Sequence, residues 1–354
     1  MDKALKESRD LFERVRFSGE NILFSEAHNQ FNNLDLDDFF VNTDLPLTEE
    51  LTPELFFSVK EVCQRLNIPV RVVKPFIYAS PKIQAQCYSG NEMECILRIS
   101  SGLIQILDLD ELQFIIGHEL GHFLYRHGIV NANIGDTSRE FFMQRRSQEI
   151  SVDRVGYLAS KSLDIAMKAL MKTISGLSSE YLRFDISSYI SHLDTPSDSV
   201  FNASQSSTHP SILFRCRALL WFSMKVDKIE DLSTLDEKEI NKLDQKILKD
   251  LERYVDGPSK ELIKQAKLKV EMWNFMSEVI KDHTFNKKEQ KVFANRFGKD
   301  KLLKMTKLLN ESSVNEAIDL VEAKLDRAKS DLKLLIPFSY NNVIKLIEEK
   351  AVFE

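Results

Sequence analysis

The sequence predicts a mostly helical α+β protein, with a small β-sheet in its first two thirds and an all-helical C-terminal region. Three observations carry this. After Trp221 the chain holds only two prolines (Pro258, Pro337) and two glycines (Gly257, Gly298), in a background rich in Lys, Glu and Leu, which is helical composition. Residues 67–81 (NIPVRVVKPFIYASP) and 95–100 (CILRIS) are β-branched and alternate, a strand signature. ELQFIIGHELGHFLYRHG repeats apolar residues at helical spacing behind an acidic turn.

Taken in order, the elements begin with a helix over about 4–16, followed by an acidic loop, NNLDLDDFFVNTDLP. A second helix runs from about Pro53 to Leu66, and the two strands follow, separated by a turn at Ser89-Gly90-Asn91. SGLIQIL leads to Asp108 or Asp110, either of which caps the long apolar helix, with Gly128 as its stop. Residues 145–160 are helical again, and the segment 129–148 before and into that helix is read as packing rather than as a lid. Residues 225–354 carry a net charge of +1 and residues 1–224 a net charge of −7, so a boundary is set near 225. Three regions result: 1–50, a helix with an acidic loop; 51–224, the domain with the sheet; and 225–354, a helical bundle.

Composition narrows the function. Hydrophobic residues at 43% and charged residues at 29% describe a soluble globular chain, and a net charge of −6 gives no reason to expect nucleic acid as a partner. MDKALKESRD has no apolar core of a leader, and no apolar run is long enough to span a bilayer. Cys63, Cys87, Cys95 and Cys216 form no CxxC pair and are read as reduced thiols, although Cys87 and Cys95 can face each other across the turn. The expectation is a cytoplasmic protein with no integral membrane segment.

The chemistry lies in GHELGHFLYRHG. Residues four apart share one face of a helix, so His118 and His122 present two imidazoles to one point with Glu119 beside them. This HExxH arrangement holds Zn²⁺ through the two histidines and uses the glutamate as a general base. An uncompensated polar cluster inside the run Phe114, Ile115, Ile116, Leu120, Phe123, Leu124 would be unfavourable, and Gly117 and Gly121 weaken a helix by roughly 1 kcal/mol each unless something approaches closely. Catalytic zinc takes three protein ligands. His127 lies on another part of the helix circumference and reads as a C-terminal cation favourable to the dipole. Glu149 and Asp153, again four apart, supply the remaining groups: one carboxylate for the metal, the other for the free N–H of a ligand histidine.

These segments resemble the HtpX and CAAX-prenyl-endopeptidase family of zinc metallopeptidases, of the gluzincin type. The resemblance runs from about Leu51 to Leu220 and rests on ISSGLIQILDLDELQFIIGHELGHFLYRHG, EISVDRVG and STHPSILFRCRAL. It implies a zincin-like fold with one Zn²⁺ per chain, held by His118, His122 and Glu149, with Glu119 as base. It further implies Asp153 as partner of a ligand histidine, His209 as the residue that steadies the oxyanion, and Arg215 as support. Protein or peptide substrates would pair with a sheet edge, expected at Ile96, Arg98 and Ser100. Gln84-Ala85 stands where the family often has Asn-Ala as a substrate contact. Many relatives carry transmembrane helices around this core; here a soluble member without them is expected. Residues 225–354 are faintly like TerB-type modules and are expected to bind a protein partner or to hold the enzyme shut; in the alternative reading the protein is a latent peptidase acting as a sensor or scaffold. Asp282 and Glu289 are weak metal candidates there, since the glycine an EF-hand loop needs is replaced by Lys287.

Overall fold

In the computed structural model, residues 2–20, 40–91, 93–127, 138–185, 207–227, 229, 231–281 and 284–349 are described. Gly128, most of the acidic loop, residues 129–137, Ser204 to Ser206 and Asp282 lie outside them. The chain divides into two compact units: residues 1–131 with 143–255, and residues 132–142 with 256–354.

The first unit opens with α1 (Lys3–Glu13) and continues through β1 (Leu45–Pro46), α2 (Pro53–Arg65), β2 (Val73–Tyr78), β3 (Ala85–Asn91) and β4 (Glu94–Ser100). Strand order is β1-β2-β4-β3; β2 and β4 run parallel, while β1 and β3 are antiparallel to their neighbours. β4 therefore lies inside the sheet, paired on both sides, and its near-continuous burial fits a strand with a parallel partner.

This corrects the expected edge. Ile96 is buried against Phe40 and Phe76. Arg98 lies 4.4 Å from the centres of the Phe40 and Tyr78 rings and pairs with Asp44 at 2.5 Å. Ser100 is buried, donates to Lys82 O at 2.6 Å and caps the next helix by accepting from Leu103 N at 3.2 Å. The long edge is β3, whose Ala-Gln-Cys-Tyr start has no β-branched residue; pairing with β4 gives it strand structure that its own sequence does not announce.

The helices of this unit are α3 (Ser101–Ile106), α4 (Leu109–Leu124), α5 (Arg139–Ser160, of which residues 143–160 belong here), α6 (Leu163–Ser175), α7 (Ile212–Val226) and α8 (Glu237–Leu251). α4 is buried on nearly every side, as expected of a helix that is apolar all round. Lys172 of α6 pairs with Glu111 of α4 at 2.5 Å, both buried.

The boundary expected near 225 falls instead at 255/256. Ile240, Leu243, Ile247 and Leu251 of α8 belong to the first core. Asp244 of the same helix receives the Arg154 guanidinium at 2.5 Å and the Ser18 amide at 2.9 Å. Mixed charge on its solvent face hid this attachment from composition.

The second unit contains α9 (Gly257–Lys281), α10 (Lys287–Phe297), α11 (Lys299–Glu311), α12 (Val314–Leu335) and α13 (Tyr340–Glu349), around Phe275, Phe293, Phe297, Val321 and Leu332. Glu289 is engaged in a capping box with Asn286 at the start of α10, an end-of-helix role rather than metal binding. No helix among the described residues is long and apolar enough to cross a membrane.

Candidate active site

Asp108 and Glu111 close a capping box at the start of α4, fixing the phase of the helix that carries His118 and His122 one turn apart. α5 crosses it where side chains are absent. A Cβ on Gly117 would lie 2.4 Å from Ala159 Cβ, and one on Gly156 would lie 2.8 Å from Phe114 O. The close approach expected at Gly117 and Gly121 is therefore α5 itself, with Val152 against Gly121.

This crossing brings Glu149 opposite the two histidines. Its carboxylate oxygens are 3.6 Å from His118 Nε2 and 3.7 Å from His122 Nε2, and one donor atom from each of the three residues lies within 4.8 Å of the others. Glu149 Oε2 is buried without a hydrogen-bond partner, although the Arg215 guanidinium lies 3.5 Å away, so its bonding capacity is left for an ion on the histidine side. Two imidazoles and a carboxylate are a donor set suited to a divalent transition metal, so the residues fit the ion the motif implies.

Behind the donors lies a charged support. Asp153 accepts from Arg215 at 2.8 and 2.5 Å and lies 3.0 Å from His118 Nδ1. Burial opposes charge on Asp153, but the Arg215 guanidinium overrides it and holds the carboxyl down at about 2. Burial also opposes a charged His118, and the neighbouring Asp153 and Glu149 carboxylates reverse that and raise it. His122 goes the other way, pushed well below its ordinary value by burial and then by His127 and His118.

Glu119 turns toward a cavity of about 500 Å³ lined by Gln84, Ala85, Ile115, Leu170 and His209 among others. Burial pushes its carboxyl up to about 7, against the pull of His118 and the backbone N–H of Cys87 on β3. Arg146 Nη1 donates to Ser207 O at 2.8 Å and tethers the segment before α7, leaving His209 more than half exposed with Nε2 3.5 Å from Glu149 Oε1.

The structure thus brings His118, Glu119, His122, Glu149, Asp153, His209 and Arg215 together, while Ile96, Arg98 and Ser100 lie elsewhere. His127 is not a dipole cation. α4 stops at Leu124, Arg126 takes φ 55°, and the chain folds back so that His127 Nδ1 lies 3.0 Å from His122 Nδ1. Helical spacing could not show this, because His127 is not on the helix.

Two imidazoles on one helix, a carboxylate from the next and a second acid beside them in a cleft are the arrangement that metallopeptidase centres use. The comparisons agree. Residues 50–144 match the family model for peptidase family M48. The "Protease HtpX homolog" of Trichormus variabilis is 33% identical over 89 residues, 25% of this chain and 29% of that protein. Those of an Arthrobacter species and a Sulfurihydrogenibium species are 31% and 32% identical over 91 and 85 residues, covering 25% and 23% of this chain and 30% and 27% of theirs. Over this stretch the chain is similar to peptidase family M48 and its HtpX homologues, and it spans less than a third of the length of these curated relatives. No solved structure matches the chain.

Proposed function

We propose that this protein is a zinc-dependent endopeptidase acting on protein or peptide substrates. The observation that carries the reading is the convergence of His118, His122 and the buried Glu149 carboxylate, one of whose oxygens has no hydrogen bond, with Glu119 beside them lining the cavity. His118, His122 and Glu149 would hold one Zn²⁺, which when bound polarises a carbonyl and acidifies water.

The chain's own residues supply the remaining steps. Glu119 takes the proton of the attacking water and returns it to the leaving nitrogen, a role suited to a carboxyl poised near neutrality. The Thr208 hydroxyl lies 2.9 Å from His209 Nδ1; donating there, it keeps the His209 proton on Nε2, the nitrogen toward Glu149, from which it can bond a developing oxyanion. Asp153 accepts from His118 Nδ1 and fixes that ring, while Arg215 fixes Asp153. An extended peptide would pair with β3, whose other side is bonded to β4, with the apolar walls of Ile115, Leu170 and Ile212 taking a side chain.

The test is cleavage of a labelled unstructured protein by the zinc-loaded full chain. Glu119→Gln should lower the rate by about 10²–10⁴-fold, and chelation should abolish it until zinc is restored. Undiminished cleavage by Glu119→Gln would sink the mechanism. No cleavage by a folded, zinc-loaded parent would favour a latent peptidase that signals or docks through residues 225–354.

A further inference from the structure

We infer that His127, Glu20 and Arg16 form a positioning chain for the His122 imidazole, so that the segment around α1 is a working part of the metal centre. The inference rests on the metal-site reading above. His122 Nε2 faces Glu149 and its Nδ1 faces away, 3.0 Å from His127 Nδ1. Two ring nitrogens at that distance share one hydrogen; none would oppose two lone pairs, and two would collide.

The direction of that hydrogen follows from the metal. His122 must keep the Nε2 lone pair for the ion, so its proton is on Nδ1 and is donated to His127. His127 then carries its own proton on Nε2, which points at Glu20 Oε2, 3.0 Å away. That same oxygen accepts from Arg16 Nη2 at 2.8 Å and Nε at 3.0 Å, which fixes the carboxylate as an acceptor. The side chains of His127 and Glu20 are 0% and 1% exposed and that of Arg16 is 8% exposed, so water does not compete for these bonds.

The two ligand imidazoles are thereby treated alike. His118 Nδ1 meets a carboxylate held by Arg215, and His122 Nδ1 meets one held by Arg16, with His127 bridging the extra distance. Partners of this kind fix tautomer and ring orientation and make the ligand a better donor. Arg16 and Glu20 lie outside residues 50–144, so the family match does not contain this half of the support.

Zinc affinity of the full chain, measured by competition with a chromophoric chelator, tests the inference alongside thermal melts of the metal-free proteins. The parent should bind one zinc, and His118→Ala should abolish it. His127→Leu should bind roughly 10–100-fold more weakly while still folding. His127→Gln, whose amide oxygen can accept from His122 and whose NH₂ can donate to Glu20, should recover to within roughly threefold of the parent. A folded His127→Leu with parental affinity overturns the positioning chain and leaves the metal site standing. Should His127→Leu not fold, Glu20→Ala, which leaves His127 Nε2–H without its acceptor, decides: weaker zinc binding supports the chain and parental affinity overturns it. Failure of the parent to bind zinc, or undiminished binding by His118→Ala, overturns the metal-site reading and this one with it.

Discussion

Gly117→Ala tests the helix crossing on which the site depends. The added Cβ would lie 2.4 Å from Ala159 Cβ, 3.1 Å from Gly156 Cα and 3.3 Å from Val155 O, all on α5. Carbon atoms rest about 3.5–4.0 Å apart, so α4 and α5 must part by about 1 Å. None of those atoms is the end of a flexible side chain, so no rotamer change relieves the clash. Overpacking of this sort costs about 1–3 kcal/mol, and the better helix propensity of alanine returns about 1 kcal/mol. With contact this short the net loss should be about 2 kcal/mol, near the upper end of that difference. The function should suffer more than the fold. His118 adjoins Gly117, and Glu149 lies two turns along α5 from Gly156, so separation widens the 3.6 Å gap between His118 Nε2 and Glu149 Oε2. A displacement of about 1 Å at a reacting centre can lower kcat/KM by roughly 10²-fold. Urea unfolding of the metal-free protein gives the first quantity; chelator competition and peptide cleavage give the second. A variant as stable as the parent or more so, with unchanged zinc affinity, would show that the helices are not in contact there.

Other consequences can be measured directly. Arg215→Met leaves Asp153 buried without its cation and should destabilise the metal-free protein by about 3–5 kcal/mol, seen as a lower urea midpoint. Asp153 is held at about 2, below its ordinary 3.8, so its contribution is complete above pH ~4 and fades as pH falls through ~2. That contribution is about 2 kcal/mol, and a stability profile of the parent over this range should show a drop that Arg215→Met flattens. Burial pushes the thiols of Cys63 and Cys216 up to about 12 and that of Cys95 well above its usual range, whereas Cys87 is half-buried. Iodoacetamide at pH 8 should therefore label Cys87 first in the folded protein; mass spectrometry showing Cys63 or Cys216 labelled as fast would contradict that packing.

What the sequence determined by itself is local. The spacing of His118 and His122, and of Glu149 and Asp153, places each pair on one face of its helix, because helix geometry is set within a few residues. Gly117 and Gly121 announced a close neighbour because glycine inside an apolar helix is otherwise unfavourable. The tertiary structure decided what depends on partners distant in the chain. β4 is an inner strand because β3 pairs outside it, and Ala85–Tyr88 carries no pattern that says so. α8 joins the first unit through Arg154 and Asp244, a bond across 90 residues. Glu20 reaches His127 across 107 residues, and only after Arg126 ends α4 and turns the chain back. Periodicity reports the face a residue occupies on its own element; which group meets it there is fixed by long-range packing, where burial makes each unpaired polar atom costly enough to select its partner.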